Sequence, residues 1–141
     1  MPTSVTPYLS CTPASEALEF YQKAFGATLA MSMPLPDGQI MHATLMLDEA
    51  MIYVSDNLGG GEPPSGGPGV TIHLQVDDCD AVFEKAIDAG CIVLMPLEDQ
   101  FWGDRYGQLQ DPYGHVWGVA TTKSTPTPEE MAAVMQAMAQ Q

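Results

Sequence analysis

The sequence predicts an α+β fold built from two βαβββ modules, and three observations carry that expectation. The order strand, helix, three strands is written twice, equivalent residues of the two copies stand 65 apart, and a stretch rich in Gly, Pro and Ser lies between them. Val5-Thr6-Pro7-Tyr8-Leu9 matches Val70-Thr71-Ile72-His73-Leu74, and the glycines expected to end the two helices, Gly26 and Gly90, stand 64 apart.

In the first module, Val5 to Cys11 reads as a strand. Thr12 is expected as the N-cap and Pro13 as the first helical residue. Ala14, Ala17, Leu18, Tyr21, Ala24 and Phe25 then recur at helical spacing as far as Gly26, which suits a left-handed stop. Strands are expected over 27–33, 39–47 and 50–55, with turns at Pro36-Asp37-Gly38 and Asp48-Glu49. The second module repeats this with a strand over 70–76, Asp77 or Asp78 as cap, a helix carrying Val82, Phe83, Ala86 and Ile87, and strands over 91–97, 106–110 and 115–121. The modules thus span 5–56 and 70–121 within one domain over 1–122. Their linker, 57–69, is expected to serve as a flexible span, with a lid over a ligand as the alternative. A tail over 123–141 follows, in which Thr127-Pro128-Glu129-Glu130 opens an amphipathic helix. Its methionine-rich face, Met131, Val134, Met135 and Met138, is expected to dock on the chain's own body or on a second copy.

A chain of 141 residues supports one hydrophobic core. Eighteen acidic against four basic residues give a formal charge of −14, a field that repels phosphate backbones and anionic lipid and so argues against nucleic acid and membranes as partners. Cys11, Cys79 and Cys91 have neither C-x-x-C spacing nor a disulfide pattern, which fits a reduced, cytoplasmic setting. Met1-Pro2-Thr3-Ser4 lacks the start of a signal peptide, and no apolar run is long enough for a membrane span.

Strand alternation sorts the faces. Val70, Ile72, Leu74 and Val76 form an apolar row for the helices, leaving Thr71, His73 and Gln75 opposite. Ala43, Leu45 and Leu47 turn to the helices and His42, Thr44 and Met46 away; Ile52 and Val54 turn to them, and Met51, Tyr53 and Ser55 away. The polar face so defined, with Tyr8 added, mixes apolar area with a few orienting polar groups, which suits an organic ligand and equally the lining of a solvated groove.

Two stretches are more specific: Phe101-Trp102-Gly103-Asp104-Arg105-Tyr106-Gly107 and Asp111-Pro112-Tyr113-Gly114-His115-Val116-Trp117. With Pro7-Tyr8-Leu9, the Phe20–Gly26 stretch and Met41-His42-Ala43, they resemble the PhnB-like branch of the vicinal-oxygen-chelate superfamily, which unites glyoxalases, bleomycin-resistance proteins and extradiol dioxygenases. The resemblance covers 5–121. It implies an open half-barrel with helices outside and a ligand cavity inside, and a homodimer. In metal-dependent relatives the ligands come from the first and last strands of each module, and the resemblance puts Thr6, Tyr53, Thr71 and Gly118 at those positions. None is a convincing ligand for a divalent ion, so no metal or other cofactor is expected there. His42, His73 and His115 are the remaining candidates for an unorthodox site.

The expected ligand-binding residues are therefore Tyr8, His42, Thr44, Tyr53, Thr71, His73, Gln75, Trp102 and Arg105. His42 and His73 are the candidate acid–base groups, because imidazole titrates near neutrality. Arg105, the only arginine, is either bridged to Asp104 and Asp99 or held at the cavity mouth for an oxyanion; Trp102 would be an aromatic wall, and Trp117 is expected to pack beneath a helix. There is no Gly-x-Ser-x-Gly, no motif-flanked cysteine and no P-loop lysine after Gly59-Gly60-Gly61. The sequence thus favours a metal-independent protein that sequesters a small organic molecule, over a lyase, isomerase or oxygenase of the same superfamily.

Overall fold

The computed structural model describes residues 4–62, 64 and 69–140. Met1-Pro2-Thr3, Gln141 and five of the thirteen linker residues, 63 and 65–68, lie outside the described residues, and with the latter that part of the lid alternative. The elements run β1 (Tyr8–Ser10), α1 (Ala14–Phe25), β2 (Thr28–Pro34), β3 (Ile40–Leu47), β4 (Ala50–Ser55), β5 (Thr71–Gln75), α2 (Cys79–Ala89), β6 (Ile92–Asp99), β7 (Asp104–Gln110), β8 (Val116–Thr122) and α3 (Pro128–Ala139). Two four-stranded sheets result, ordered β1-β4-β3-β2 and β5-β8-β7-β6. Each has one parallel pair, β1 with β4 and β5 with β8, and antiparallel neighbours beyond it. The fold is therefore α+β, two βαβββ modules followed by a C-terminal helix, with no closed barrel.

The 65-residue repeat extends to individual hydrogen bonds. The Cys11 amide donates to the Ser55 carbonyl and the Val76 amide to the Ala120 carbonyl. The start of each helix is held from its module's last strand: Ala14 N–H donates to Asp56 Oδ1 at 3.0 Å, and Cys79 N–H to Thr121 Oγ1 at 2.8 Å. This corrects the expected first cap. α1 begins at Ala14, Pro13 occupies the cap position without a side-chain bond, and the carboxylate of Asp56 reaches across from the end of β4 to do what Thr12 does not. Asp78 caps α2 through Ala81 N–H, and Gly26 ends α1 in the left-handed region at φ 72°. β1 is shorter than expected, and Val70 lies outside β5 and is exposed rather than packed.

The core gathers on the helix-facing side of both sheets. Ala43, Leu45, Ile52 and Val54 of the first sheet and Leu109, Trp117 and Val119 of the second are buried, together with Ala17, Leu18, Tyr21 and Ala24 of α1 and Phe83 and Ala86 of α2. Each fully buried Leu, Ile or Val contributes about 1.5–3 kcal/mol. α1 packs beside α2 and reaches the second module: Phe25 lies 4.4 Å from Trp117 and Tyr21 5.5 Å from it, between ring centroids. Trp117 packs under a helix as its alternation with Gly118 predicts.

One buried carboxylate joins the modules. Asp111, in the turn between β7 and β8, accepts the Tyr21 hydroxyl at 2.6 Å and the Trp117 indole N–H at 2.8 Å on Oδ2. Its Oδ1 accepts the amides of Tyr113 and His115 at 2.9 and 3.0 Å. His115 Nε2–H then donates to the Ser10 carbonyl at 2.8 Å, tying the same turn to β1. His115 is thus a latch between modules.

Replacing Asp111 by Asn puts an amide N–H against the donors from Tyr21 and Trp117. Asp111→Asn should lower unfolding free energy by about 2–4 kcal/mol, and Tyr21→Phe by about half as much. Urea denaturation checks both, and a loss below about 0.5 kcal/mol for Asp111→Asn would remove the carboxylate from the centre of this description.

Candidate functional site

With the helices covering one face, the opposite faces of the sheets are left to other groups, and two polar clusters occupy them, one per module. In the first, the β1–β4 register sets Tyr8 opposite Tyr53, and the β3–β4 register sets Thr44 opposite Tyr53. His42, two residues from Thr44 and so on the same face, lies 2.9 Å from the Tyr8 hydroxyl through Nδ1 and 3.4 Å from Thr44 Oγ1 through Nε2. The Tyr8 and His42 rings sit 5.5 and 4.8 Å from that of Tyr53. Both nitrogens of His42 are therefore engaged inside the protein.

In the second cluster the β5–β8 register sets His73 opposite Gly118. His73 Nε2 lies 2.7 Å from Gln75 Oε1, and Gln75 Nε2–H donates to Thr122 Oγ1 at 2.8 Å. The Tyr106 ring is nearly parallel to the His73 imidazole, with centroids 5.9 Å apart, and its hydroxyl oxygen accepts Gln108 Nε2–H at 2.8 Å. A methyl group placed on Gly118 would come within 2.7 Å of that hydroxyl, so the absence of a side chain there is what lets Tyr106 lie flat across β8. Trp102 extends the row, 6.1 Å from Tyr106, with its indole N–H on Asp104 Oδ2. Among the described residues no hydrogen bond or ring contact joins the two clusters.

Of the expected site residues, Tyr8, His42, Thr44 and Tyr53 come together in one cluster, and His73 and Gln75 in the other, with Trp102 at its margin. Thr71 shares the face of His73 and Gln75 but pairs with Val116, one step outside the cluster. Arg105 does not join them. It alternates with Tyr106 and so turns to the helix side, where its guanidinium holds Asp80 of α2 through Nε at 3.1 Å and Asp99 through Nη1 at 3.3 Å. This corrects the cavity-mouth alternative and replaces Asp104 by Asp80 as partner. The hydrogen bonds from Arg105 hold the Asp80 carboxyl below its ordinary range, and Asp80 and Asp99 hold the guanidinium above its own. Tyr106, Gln108 and Thr122 were missed; the signal was present in Arg105-Tyr106-Gly107-Gln108-Leu109, where Gly107 and Leu109 take the buried face and Tyr106 and Gln108 the other.

The chemistry of the donor set speaks on a metal. The register opposes Tyr8 to Tyr53 and His73 to Gly118, two residues along from Thr6 and Thr71, so only His73 of the opposed set is an ordinary ligand for a divalent ion. Among the described residues no three His, Cys, Asp or Glu side chains gather as a metal site would need. The residues present do not fit the superfamily's metal.

A cavity of about 360 Å³ lies at the seam of the modules, between Thr6, Pro7 and Met51 on one side and Ile72, His73 and Leu74 on the other. His73 also lines a neighbouring cavity of about 250 Å³ with Phe25, Ala50 and Gln75. A cavity of about 410 Å³ beside Ile92 and the Asp111–Gly114 turn touches neither polar cluster.

The three thiols are free and buried, and burial pushes Cys11 and Cys91 up to about 12. They hold their protons where an unfolded thiol, with its ordinary value of 9.0, has begun to ionise, so the stability they confer is complete below about pH 9 and is lost as pH rises towards 12. The native protein should therefore resist thiol reagents at neutral pH, and its melting temperature should fall between these limits. Rapid stoichiometric labelling of the native chain would contradict this.

The family model described as "Glyoxalase/Bleomycin resistance protein/Dioxygenase superfamily" matches residues 9–119. An uncharacterized protein of Mycobacterium bovis is 40% identical over 139 residues, covering 94% of this chain and 91% of that protein. The crystal structure of protein PA1353 from Pseudomonas aeruginosa is 30% identical, with a TM-score of 0.70 over 87% of this chain and 100% of that one. The fold likeness extends to a PhnB protein from Bacillus cereus, 21% identical with a TM-score of 0.69 over 85% and 100% of the two chains. The repeated βαβββ architecture and this match over most of its length place the chain in the glyoxalase/bleomycin resistance protein/dioxygenase superfamily.

Proposed function

We propose that this protein is a metal-independent binder of a small organic molecule, acting as a cytoplasmic homodimer. The observation that carries this reading is the make-up of the inner rows: Tyr8, Tyr53, Tyr106 and Trp102 offer aromatic faces, His42, Thr44, His73 and Gln75 offer hydrogen bonds, and among the described residues neither a metal-ligand cluster nor a lysine or arginine accompanies them. Arg105 is neutralised on the helix side. Lys23 and Lys85 sit exposed on α1 and α2, and Lys123 follows β8. A ligand carrying positive charge or none is favoured, because aromatic faces attract cations and the −14 charge draws them in.

Elemental analysis and a thermal-shift screen of matched cationic, neutral and anionic aromatics test this. The expected result is no stoichiometric metal and stabilisation by cationic or neutral compounds, fading with salt for the cations as the screening length falls to about 8 Å. Tightly bound metal at one equivalent, or hits confined to anions, overturns the reading.

The dimer is supported by surfaces that one chain leaves uncovered. The edge strands β2 and β6 expose Leu29, Met31 and Met33, and Ile92, Val93, Leu94 and Met95. Among the described residues α3 buries none of its side chains, and Val134, Met135 and Met138 of its apolar face are exposed. Its route is nevertheless fixed at the start, where the amides of Lys123 and Ser124 both donate to the Gly103 carbonyl. Gly103 sits at φ 101° and a methyl group there would meet Ser124 O at 2.0 Å, which accounts for the glycine of the Phe-Trp-Gly-Asp-Arg stretch. Sedimentation should give a dimer for the full chain and weaker association for a chain ending at Lys123; a monomeric full chain rejects the dimer.

A further inference from the structure

The geometry points to His73 as a fixed hydrogen-bond acceptor for an N–H of the ligand, with the Tyr106 hydroxyl as the donor beside it. The site takes a flat, uncharged or cationic heteroaromatic in which an N–H stands next to a carbonyl or ring nitrogen. This rests on the small-molecule reading above and names the chemistry of its site.

The argument starts from what each polar atom has left to offer. Gln75 spends its amide N–H on Thr122 Oγ1, so the atom it presents to His73 is a carbonyl oxygen, 2.7 Å from Nε2. A carbonyl only accepts, so Nε2 carries the proton and the neutral ring keeps its lone pair on Nδ1. No hydrogen bond within the protein engages Nδ1 among the described residues, whereas both nitrogens of His42 are engaged and His115 is committed to Ser10. Of the three histidines, His73 alone has an unused acceptor on the polar face.

Tyr106 is the complement. Gln108 donates to its oxygen at 2.8 Å, which leaves its own O–H to donate. Its hydroxyl lies over Gly118, the residue directly opposite His73 in the β5–β8 pair, and its ring is nearly parallel to the imidazole with centroids 5.9 Å apart. His73 also lines the seam cavity, whose wall is otherwise mostly Pro, Met, Ile and Leu. Apolar surface for the body of a ring therefore adjoins the His73 acceptor. Gln75, Thr122 and Gln108 are positioning residues: they set which atom of His73 and Tyr106 is unused.

The test has two arms on the full chain. Long-range proton–nitrogen NMR of ¹⁵N-histidine protein at about pH 8.5, where an ordinary imidazole is neutral, should show His73 as the Nε2–H tautomer. Gln75→Leu should turn it into a tautomer mixture while His42 and His115 keep their signals. A His73 found as Nδ1–H, or unmoved by Gln75→Leu, overturns the proposal without touching the small-molecule reading. In the second arm the probes are 2-pyridone, with N–H beside C=O, and 1-methyl-2-pyridone, which lacks the N–H. 2-Pyridone should shift the His73 and Tyr106 resonances and bind about tenfold tighter than its methylated partner, and the preference should disappear in Gln75→Leu. Equal binding of the two probes, or none by either, overturns the donor–acceptor pairing.

Discussion

A carboxylate cut off from water is tolerated only when donors replace the water it has lost, and Asp111 imposes that condition on this fold. Two of its four donors are amides of its own turn and one is the indole of β8, so the second module supplies three. The fourth, the Tyr21 hydroxyl, must come from α1, 90 residues away. Once Tyr21 reaches Asp111, α1 lies over β8, Phe25 falls on Trp117, and α1 comes alongside α2. Burial and the neighbouring carboxylate hold the Tyr21 phenol far above its ordinary titration range, so it stays a donor at any pH the fold survives. A single satisfied anion thus sets the packing of one module on the other.

That packing separates structure from recognition. The helix sides of the sheets are committed to filling volume, and there the repeat persists at an offset of 65: Cys11 and Val76 extend the parallel pairs, and Asp56 and Thr121 hold the helix starts. The opposite sides carry no such duty, and there the modules differ. Tyr8 and Tyr53 of the first correspond to His73 and Gly118 of the second. The first cluster closes on itself, with His42 bridging Tyr8 and Thr44, while the second keeps an acceptor and a donor unused because Gly118 makes room for Tyr106.

The sequence made most of the architecture legible because its signals are local. Helical spacing in Ala14 to Phe25, the glycine stops and the period-2 rows of β3, β4 and β5 needed no tertiary information, and the faces they assigned to His42, Thr44, Tyr53, His73 and Gln75 are those observed. The misreadings were contacts made at a distance. Thr12 reads as a cap because the group that holds the helix start, the carboxylate of Asp56, lies 42 residues beyond Ala14. Arg105 takes Asp99, one of the two partners read for it, and in place of Asp104 takes Asp80, which belongs to the next helix back. Tyr106 is hard to read because the Phe-Trp-Gly-Asp-Arg stretch runs directly into the period-2 alternation of β7 that turns it to the polar face. The tautomer of His73 depends on Gln75 and Thr122, 47 residues apart and meaningful only once β5 lies beside β8.

The distribution of charge bears on how such a site discriminates. With 18 acidic and four basic residues and no cation on either polar row, an anion would enter a negative field with nothing to pair with, and its desolvation would be uncompensated. On the proposed reading, selection would rest on ring contact and on the pattern of donors and acceptors, both of which act only at close range and only when water is excluded. His73, Gln75 and Tyr8 are exposed in a single chain, so one subunit excludes little water by itself. In the proposed dimer the bare edges of β2 and β6 and the uncovered face of α3 would supply the remaining surface. A second copy laid against them would cover apolar area and, by the same contact, reduce the solvent around the polar rows, which links the strength of recognition to assembly.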